Sequence, residues 1–223
     1  MLVNADFSLR TVVKADEHRW VASPQAGVER VMLDRVGSEQ ARATSLVRYA
    51  PGSTFPPHGH PGGEEILVLS GTFSDDSGHY GAGWYLRNPP GSAHRPSSAS
   101  GALIFVKLRQ MQADESGTVR IDTQDPRSWQ RDGSRALCPL FSGPGERVSL
   151  QKLEPGEPLG IDTRGGAELL VLEGQLEGDE EPLAPLAWLR LPPGAASSLR
   201  AGNEGARIYL KTGHLAELAG LAS

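Results

Sequence analysis

Apolar residues along this chain come in short runs. EILVLSGTF from Glu65, WYLRNP from Trp84 and ALIFVKL from Ala102 are each closed off by clusters of Gly, Pro and Asp. Runs of this length between turn-formers predict short strands at the spacing of a small β-sandwich or barrel, so the expected class is all-β. The one helical signal is the tail GHLAELAGLAS, where Leu215, Leu218 and Leu221 recur every three residues and predict a short docked C-terminal helix. RQMQADESGTVRIDTQDPRSW, from Arg109, is polar and rich in breakers, and reads as a linker with room for one strand.

The pattern repeats. LRNPPGSAHRP at Leu86 returns as LRLPPGAASSL at Leu189, GALIFVKL at Gly101 as GARIYLKT at Gly205, and SLVRYAPG at Ser45 as SLQKLEPG at Ser149, at a constant offset of 103 or 104 residues. A fixed register of this kind predicts two homologous domains. The expected boundaries are 1–111 for the first domain, 112–124 for the linker and 125–223 for the second domain.

Composition supports the strand reading, because 27 glycines and 17 prolines are more than long helices tolerate. The net charge of -5 is spread along the chain, which argues against a nucleic-acid groove or a polybasic membrane surface. The expected partner is a small molecule or a protein, with a homodimer left open. No run is long enough to span a membrane and the N-terminus MLVNADFSLR lacks an apolar signal core, so a cytoplasmic location is expected. The single cysteine, Cys138, excludes an internal disulfide and reads as a buried small hydrophobe.

Chemistry concentrates in PGSTFPPHGHPGGEEILVLSG, Pro51 to Gly71. His58 and His60 are one residue apart, so on a strand they share a face and can converge on one ion. A carboxylate follows, and later the turn PPGSAH ends on His94. Imidazole with carboxylate is the ordinary donor set for zinc, iron, manganese and nickel. Glu64 and Glu65 are adjacent and must face opposite ways on a strand. In the second repeat Glu65 aligns with Glu168, but Glu64 aligns with Ala167, His58 with Asp162, His60 with Arg164 and His94 with Ser197. Glu64 therefore groups with the histidines, and Glu65 and Glu168 read as structural. The acidic tips at Asp75 and Glu177 read as solvated turns. His18, His79 and His214 read as surface residues; Tyr80, Tyr85 and Arg87 line a barrel mouth or pack beneath it, and Trp188 opposite Tyr85 favours packing there.

These motifs resemble the cupins. Gly52, His58, His60, Glu64 and Gly71 fit the first cupin motif without a gap; Gly83, Pro89, Gly91 and His94 fit the second, with Ser98 in place of the usual Asn. The resemblance implies two tandem double-stranded β-helix, or jelly-roll, sandwiches. It also implies one divalent metal ion per chain on His58, His60, Glu64 and His94: zinc first, with Fe(II), Mn or Ni as alternatives. The second domain would be a degenerate copy without metal ligands. WVASPQAGVERVMLDR at Trp20, HGHPGGEEILVLSG and YLRNPPGSAH are further similar to the cupin region of ChrR-type anti-sigma factors. That implies a sensory or regulatory metal-binding bicupin. The family's sigma-gripping HxxxCxxC module has no counterpart here, so this chain alone is not expected to hold a sigma factor. The alternative is a metal-dependent cupin dioxygenase acting on a small diketone or a hydroxyacetophenone-like substrate.

Overall fold

A computed structural model describes residues 1–38, 40–178, 181–216 and 218. Among these the chain is all strand and loop apart from two single-turn 3-10 segments, Ala15–Glu17 and Pro126–Ser128, as the short apolar runs require. No helix among the described residues is long and apolar enough to cross a membrane. The C-terminal helix expected through Leu221 falls largely outside the described residues; Leu215 itself is fully buried, in a turn.

The chain divides into two compact units, Met1–Ala5 with Arg19–Gln124 and Asp6–His18 with Asp125–Ser223. The principal sheet of the first unit runs Leu2–Val3, Val28–Val36, Arg42–Tyr49, Ala102–Leu108, Glu64–Asp75, Trp84–Asn88, Val119–Asp122, each antiparallel to its neighbours. The sheet of the second unit runs Gln130–Asp132, Arg135–Ser142, Arg147–Leu153, Arg200–Thr212, Ala167–Glu177, Trp188–Leu191, Thr11–Val13. The two orders agree place by place.

The seventh place is where each unit borrows. Val119–Asp122, which leads into the second repeat, closes the first unit's sheet on Trp84–Asn88. Thr11–Val13, which leads into the first repeat, closes the second unit's sheet on Trp188–Leu191. The sequence pattern marks neither segment as a partner of the distant sheet, because three or four residues carry too little periodicity to show register.

Strand alternation builds the cores. Ile66, Val68, Leu86, Ile104 and Val106 point inward in the first unit, and Leu169, Val171, Leu189, Ile208 and Leu210 do so in the second. Each such side chain contributes about 1.5–3 kcal/mol on burial. At Gly71 the long strand bends, with a left-handed φ of 70°, and the carbonyl of Gly101 lies where a Cβ would stand. Gly174 repeats this with φ 66° against Gly205. Past that bend, Thr72–Asp75 leave the principal sheet and pair with Gly78–Gly81.

On the opposite face of each sheet is a cross-strand row of charge. Arg87, Glu65 and Lys107 are in register in the first unit, and Arg190, Glu168 and Lys211 in the second. All six are buried. Buried charges must be paired. Arg87 Nη1 donates to Glu65 Oε2 at 3.1 Å and Nη2 to Glu115 at 2.8 Å, while Lys211 pairs with Glu146 at 2.9 Å. His214 was expected on the surface, but its side chain is 3% exposed and its Nε2 lies 3.2 Å from Glu168 Oε1. A buried carboxylate needs such a neighbour. Cys138 is fully buried, and burial pushes its thiol up to about 11, so it is an inert packing group.

Candidate metal centre

His58 and His60 lie on the short strand His58–His60, which pairs antiparallel with Ser92–His94 so that His58 faces His94 directly. The loop Pro61-Gly62-Gly63 then returns the chain to Glu64, the first residue of the long strand. Gly63 holds a φ of 74°, and a Cβ there would strike Met111. Only glycine makes this return without strain.

The three imidazoles converge. Ring centroids are 4.9 Å apart for His58 and His60, 5.3 Å for His58 and His94, and 4.8 Å for His60 and His94. One nitrogen from each lies within 4.8 Å of the others. His60 Nε2 is 2.9 Å from His94 Nε2, and Glu64 Oε2 is 3.5 and 3.4 Å from those same atoms. Donors sharing one ion at bond lengths near 2.1 Å stand roughly 3.0–3.4 Å apart. The donor set therefore fits a divalent cation.

The atoms behind these donors aim them. His58 Nδ1–H donates to Pro56 O at 3.0 Å, and His94 Nδ1–H donates to Asp75 Oδ2 at 3.2 Å, leaving both Nε2 lone pairs directed at the common point. Asn88 Nδ2 donates to Glu64 Oε2 at 3.0 Å, and Arg120 Nη2 holds Asn88 Oδ1 at 2.6 Å. Arg120 rides on the borrowed strand Val119–Asp122 and also donates from Nε to the Tyr80 hydroxyl at 3.2 Å.

Asp75 was expected in a solvated turn. Its side chain is instead 1% exposed, and it accepts from His94 and from the Ser77 backbone. Burial opposes its charge, but these hydrogen bonds outweigh burial and hold its carboxyl below the usual range. Burial also pulls both imidazoles down. At His60 it dominates, whereas at His94 the Asp75 hydrogen bond and the charges of Glu64 and Asp75 overcome it and raise the ring.

Glu65 turns away from the histidines to Arg87, as strand parity requires. Tyr85 and Arg87 are fully buried and Tyr80 is packed in the core. His79 is exposed, and His18 is half-buried, with burial lowering its ring.

Sequence reasoning missed Asp75, Asn88 and Arg120, although the repeat carried a signal for each. Their counterparts are Gly178, Leu191 and, by register in the seventh strand, Val12. Where His58 and His60 would be, the second unit has Asp162 and Arg164, an exposed ion pair with its closest atoms 2.7 Å apart.

A cavity of about 310 Å³ borders the triad within the first unit. Its walls are apolar, from Val28, Val47, Phe55, Ile104, Val106 and Leu108, and His58, His60 and Glu64 open onto it. Arg30 and Arg109 line it as well.

The fold is that of the cupins. Residues 8–112, a little under half of the chain, match the ChrR Cupin-like domain. Among solved structures the chain is similar to a candidate dioxygenase from Nostoc punctiforme, with TM-score 0.69 and 14% identity over 97% of this chain and 83% of that one. It is similar also to a candidate glyoxylate-induced protein from Pseudomonas aeruginosa, with TM-score 0.71 and 16% identity over 95% and 89% of the two chains. A third is the nickel(II) complex of the pirin YhhW from Escherichia coli, with TM-score 0.64 and 16% identity over 91% and 98%. At these identities the likeness is one of fold. No curated protein matches the chain in sequence.

Proposed function

We propose that the chain is a sensory or regulatory metal-binding bicupin of the ChrR-like kind. One divalent ion, zinc first, would sit in the first unit on His58, His60, Glu64 and His94, and the second unit is a degenerate copy that holds none. The observation that carries this is the convergence of three imidazoles, two of which, His58 and His94, have their outer nitrogens already committed to Pro56 and Asp75. Such pre-aimed rings are what a resident cation requires. Metal content measured on protein purified without a chelating tag tests it: about one ion per chain supports the reading, and none overturns it. A cytoplasmic location belongs to the same proposal. A sigma factor is not expected to bind this chain alone, and retention of an ECF-type sigma factor in a pull-down would contradict that.

The second reading is a metal-dependent dioxygenase acting on a small diketone or a hydroxyacetophenone-like substrate. Two observations favour it: the cavity beside the triad, and the fold shared with the candidate dioxygenase. When bound, a redox metal such as Fe(II) would supply open coordination positions for substrate and oxygen. Oxygen uptake on pentane-2,4-dione with the Fe(II)-loaded chain separates the two readings.

A further inference from the structure

We infer that the cavity beside the histidine triad is a binding site for a small organic carboxylate, with Arg30 as the residue that selects its charge. Arg30 lies on Val28–Val36 and lines the same cavity as His58, His60 and Glu64. Its Nε is buried and has no hydrogen-bond partner among the described residues. Withdrawing a guanidinium N–H from water without an acceptor costs free energy, and an anion entering the cavity removes that cost.

Three further observations agree. Glu64 is the only acid among the described residues lining the cavity, and it is engaged by Asn88, whereas Arg30 and Arg109 are both cationic. Arg109 stands exposed at the site, bonded to Gln40 Oε1 at 3.1 Å, in a left-handed conformation with φ 57°. The matching position for Arg30 in the second unit, through the pairings Arg30 with Val47 and Leu137 with Gln151, is Leu137. The unit without the histidines thus lacks this half-buried arginine as well.

The chemistry of the walls sets the ligand class. A guanidinium fork matches a carboxylate with two parallel bonds. The apolar part of the wall, Val28, Val47, Phe55, Ile104, Val106 and Leu108, suits an acid with an apolar body better than inorganic phosphate, which has none. A volume of about 310 Å³ lies at the small end of ligand pockets, so the body is compact and apolar.

This goes beyond the metal reading and is tested separately from it. Benzoate and its neutral isostere benzamide are titrated into the native chain, Arg30→Met and Arg30→Gln, followed by ligand-detected NMR, with inorganic phosphate as competitor at constant ionic strength. Metal content and melting temperature are measured on the same samples. The expected result is a preference for benzoate over benzamide of at least tenfold in the native chain, abolished in both folded variants, with metal content unchanged. Absence of benzoate binding, equal affinity for benzamide, a preference that survives loss of Arg30, or displacement by equimolar phosphate overturns the proposal. A native sample without metal would sink the metal reading alone, because the dependence on Arg30 is scored whether or not an ion is present.

Discussion

Exchanging either of two adjacent glutamates for glutamine should give opposite phenotypes. Glu64→Gln removes an anionic oxygen that lies 3.4–3.5 Å from His60 Nε2 and His94 Nε2. Losing an outer-shell partner of a metal ligand typically costs 10–100-fold in affinity. Losing the only carboxylate among the proposed donors should cost more than that, while stability without metal barely changes. Glu65→Gln acts on the other face. Strand parity alone suggests a surface pair worth at most about 1 kcal/mol, but the Glu65 side chain is 4% exposed and sits between Arg87 and Lys107.

Breaking a buried pair from one side costs about 3–5 kcal/mol. Two features reduce that figure here: glutamine still offers an oxygen to Arg87 Nη1, and Arg87 Nη2 keeps Glu115 at 2.8 Å. A loss of about 2 kcal/mol remains, which for a unit of this size lowers the melting temperature by roughly 8–16 °C. Chelator-competition titration and thermal melting on both variants decide the matter. If Glu65→Gln loses the metal while Glu64→Gln keeps it, the assignment of faces is wrong.

Metal content should be about one ion per chain and should vanish in the His58→Ala, His60→Ala double variant; two ions surviving that change would show that the second unit binds metal. Asn88→Leu and Arg120→Val install the residues found at the matching places in the second unit, so each should fold and lose about 10–100-fold in metal affinity by chelator competition; unchanged affinity would show that holding Glu64 through Asn88 and Arg120 does not matter to the ion. Carboxyl NMR should find Asp162 titrating at about 2, held down chiefly by its hydrogen bond from Arg164, and returning toward its ordinary value in Arg164→Ala. Because the folded value is depressed, any contribution of that pair to stability is present above the ordinary carboxylate range and is lost as pH falls through about 2. Deleting residues 1–18 removes Thr11–Val13 and with it the first unit's edge strand Leu2–Val3, and should lower the melting temperature of the chain without altering metal content.

What was legible in the sequence was what repeats or alternates. The fold class followed from strand-length apolar runs, and the separation of Glu64 from Glu65 followed from strand parity and from the second copy. The loops hid more. Asp75 is an acidic residue at a hairpin tip, and nothing local distinguishes a solvated tip from one folded back onto His94. His214 looked like a surface histidine because its partner, Glu168, is 46 residues away in sequence and meets it only through the sheet. The seventh strands were invisible for a different reason: a three-residue segment has no register of its own until a sheet edge supplies one.

That last feature bears on how the site is built. The outer shell of Glu64 runs through Asn88 to Arg120, and Arg120 arrives on a strand that precedes the second repeat rather than belonging to the body of the first. A chain ending at Met111 would keep all four proposed ligands yet lack the cation that fixes Asn88, and the sheet edge at Trp84–Asn88 would be open. Exchanged strands thus divide the work unevenly. The segment ahead of the second repeat gives the first unit's sheet a strand bearing an arginine beside the site. The segment ahead of the first repeat gives the second unit's sheet a strand whose equivalent residue, Val12, merely packs against the second unit's core. Both of these strands complete a sheet, but only Val119–Asp122 bears a residue that reaches the donor cluster's surroundings. The same division runs through the other positions. Gly71 and Gly174, Glu65 and Glu168, Arg87 and Arg190, and Lys107 and Lys211 serve the bend and the charged row, and they persist in both units. His58, His60, Glu64, Asp75, Asn88, His94 and Arg120 serve one point in space, and no position in the second unit retains any of them.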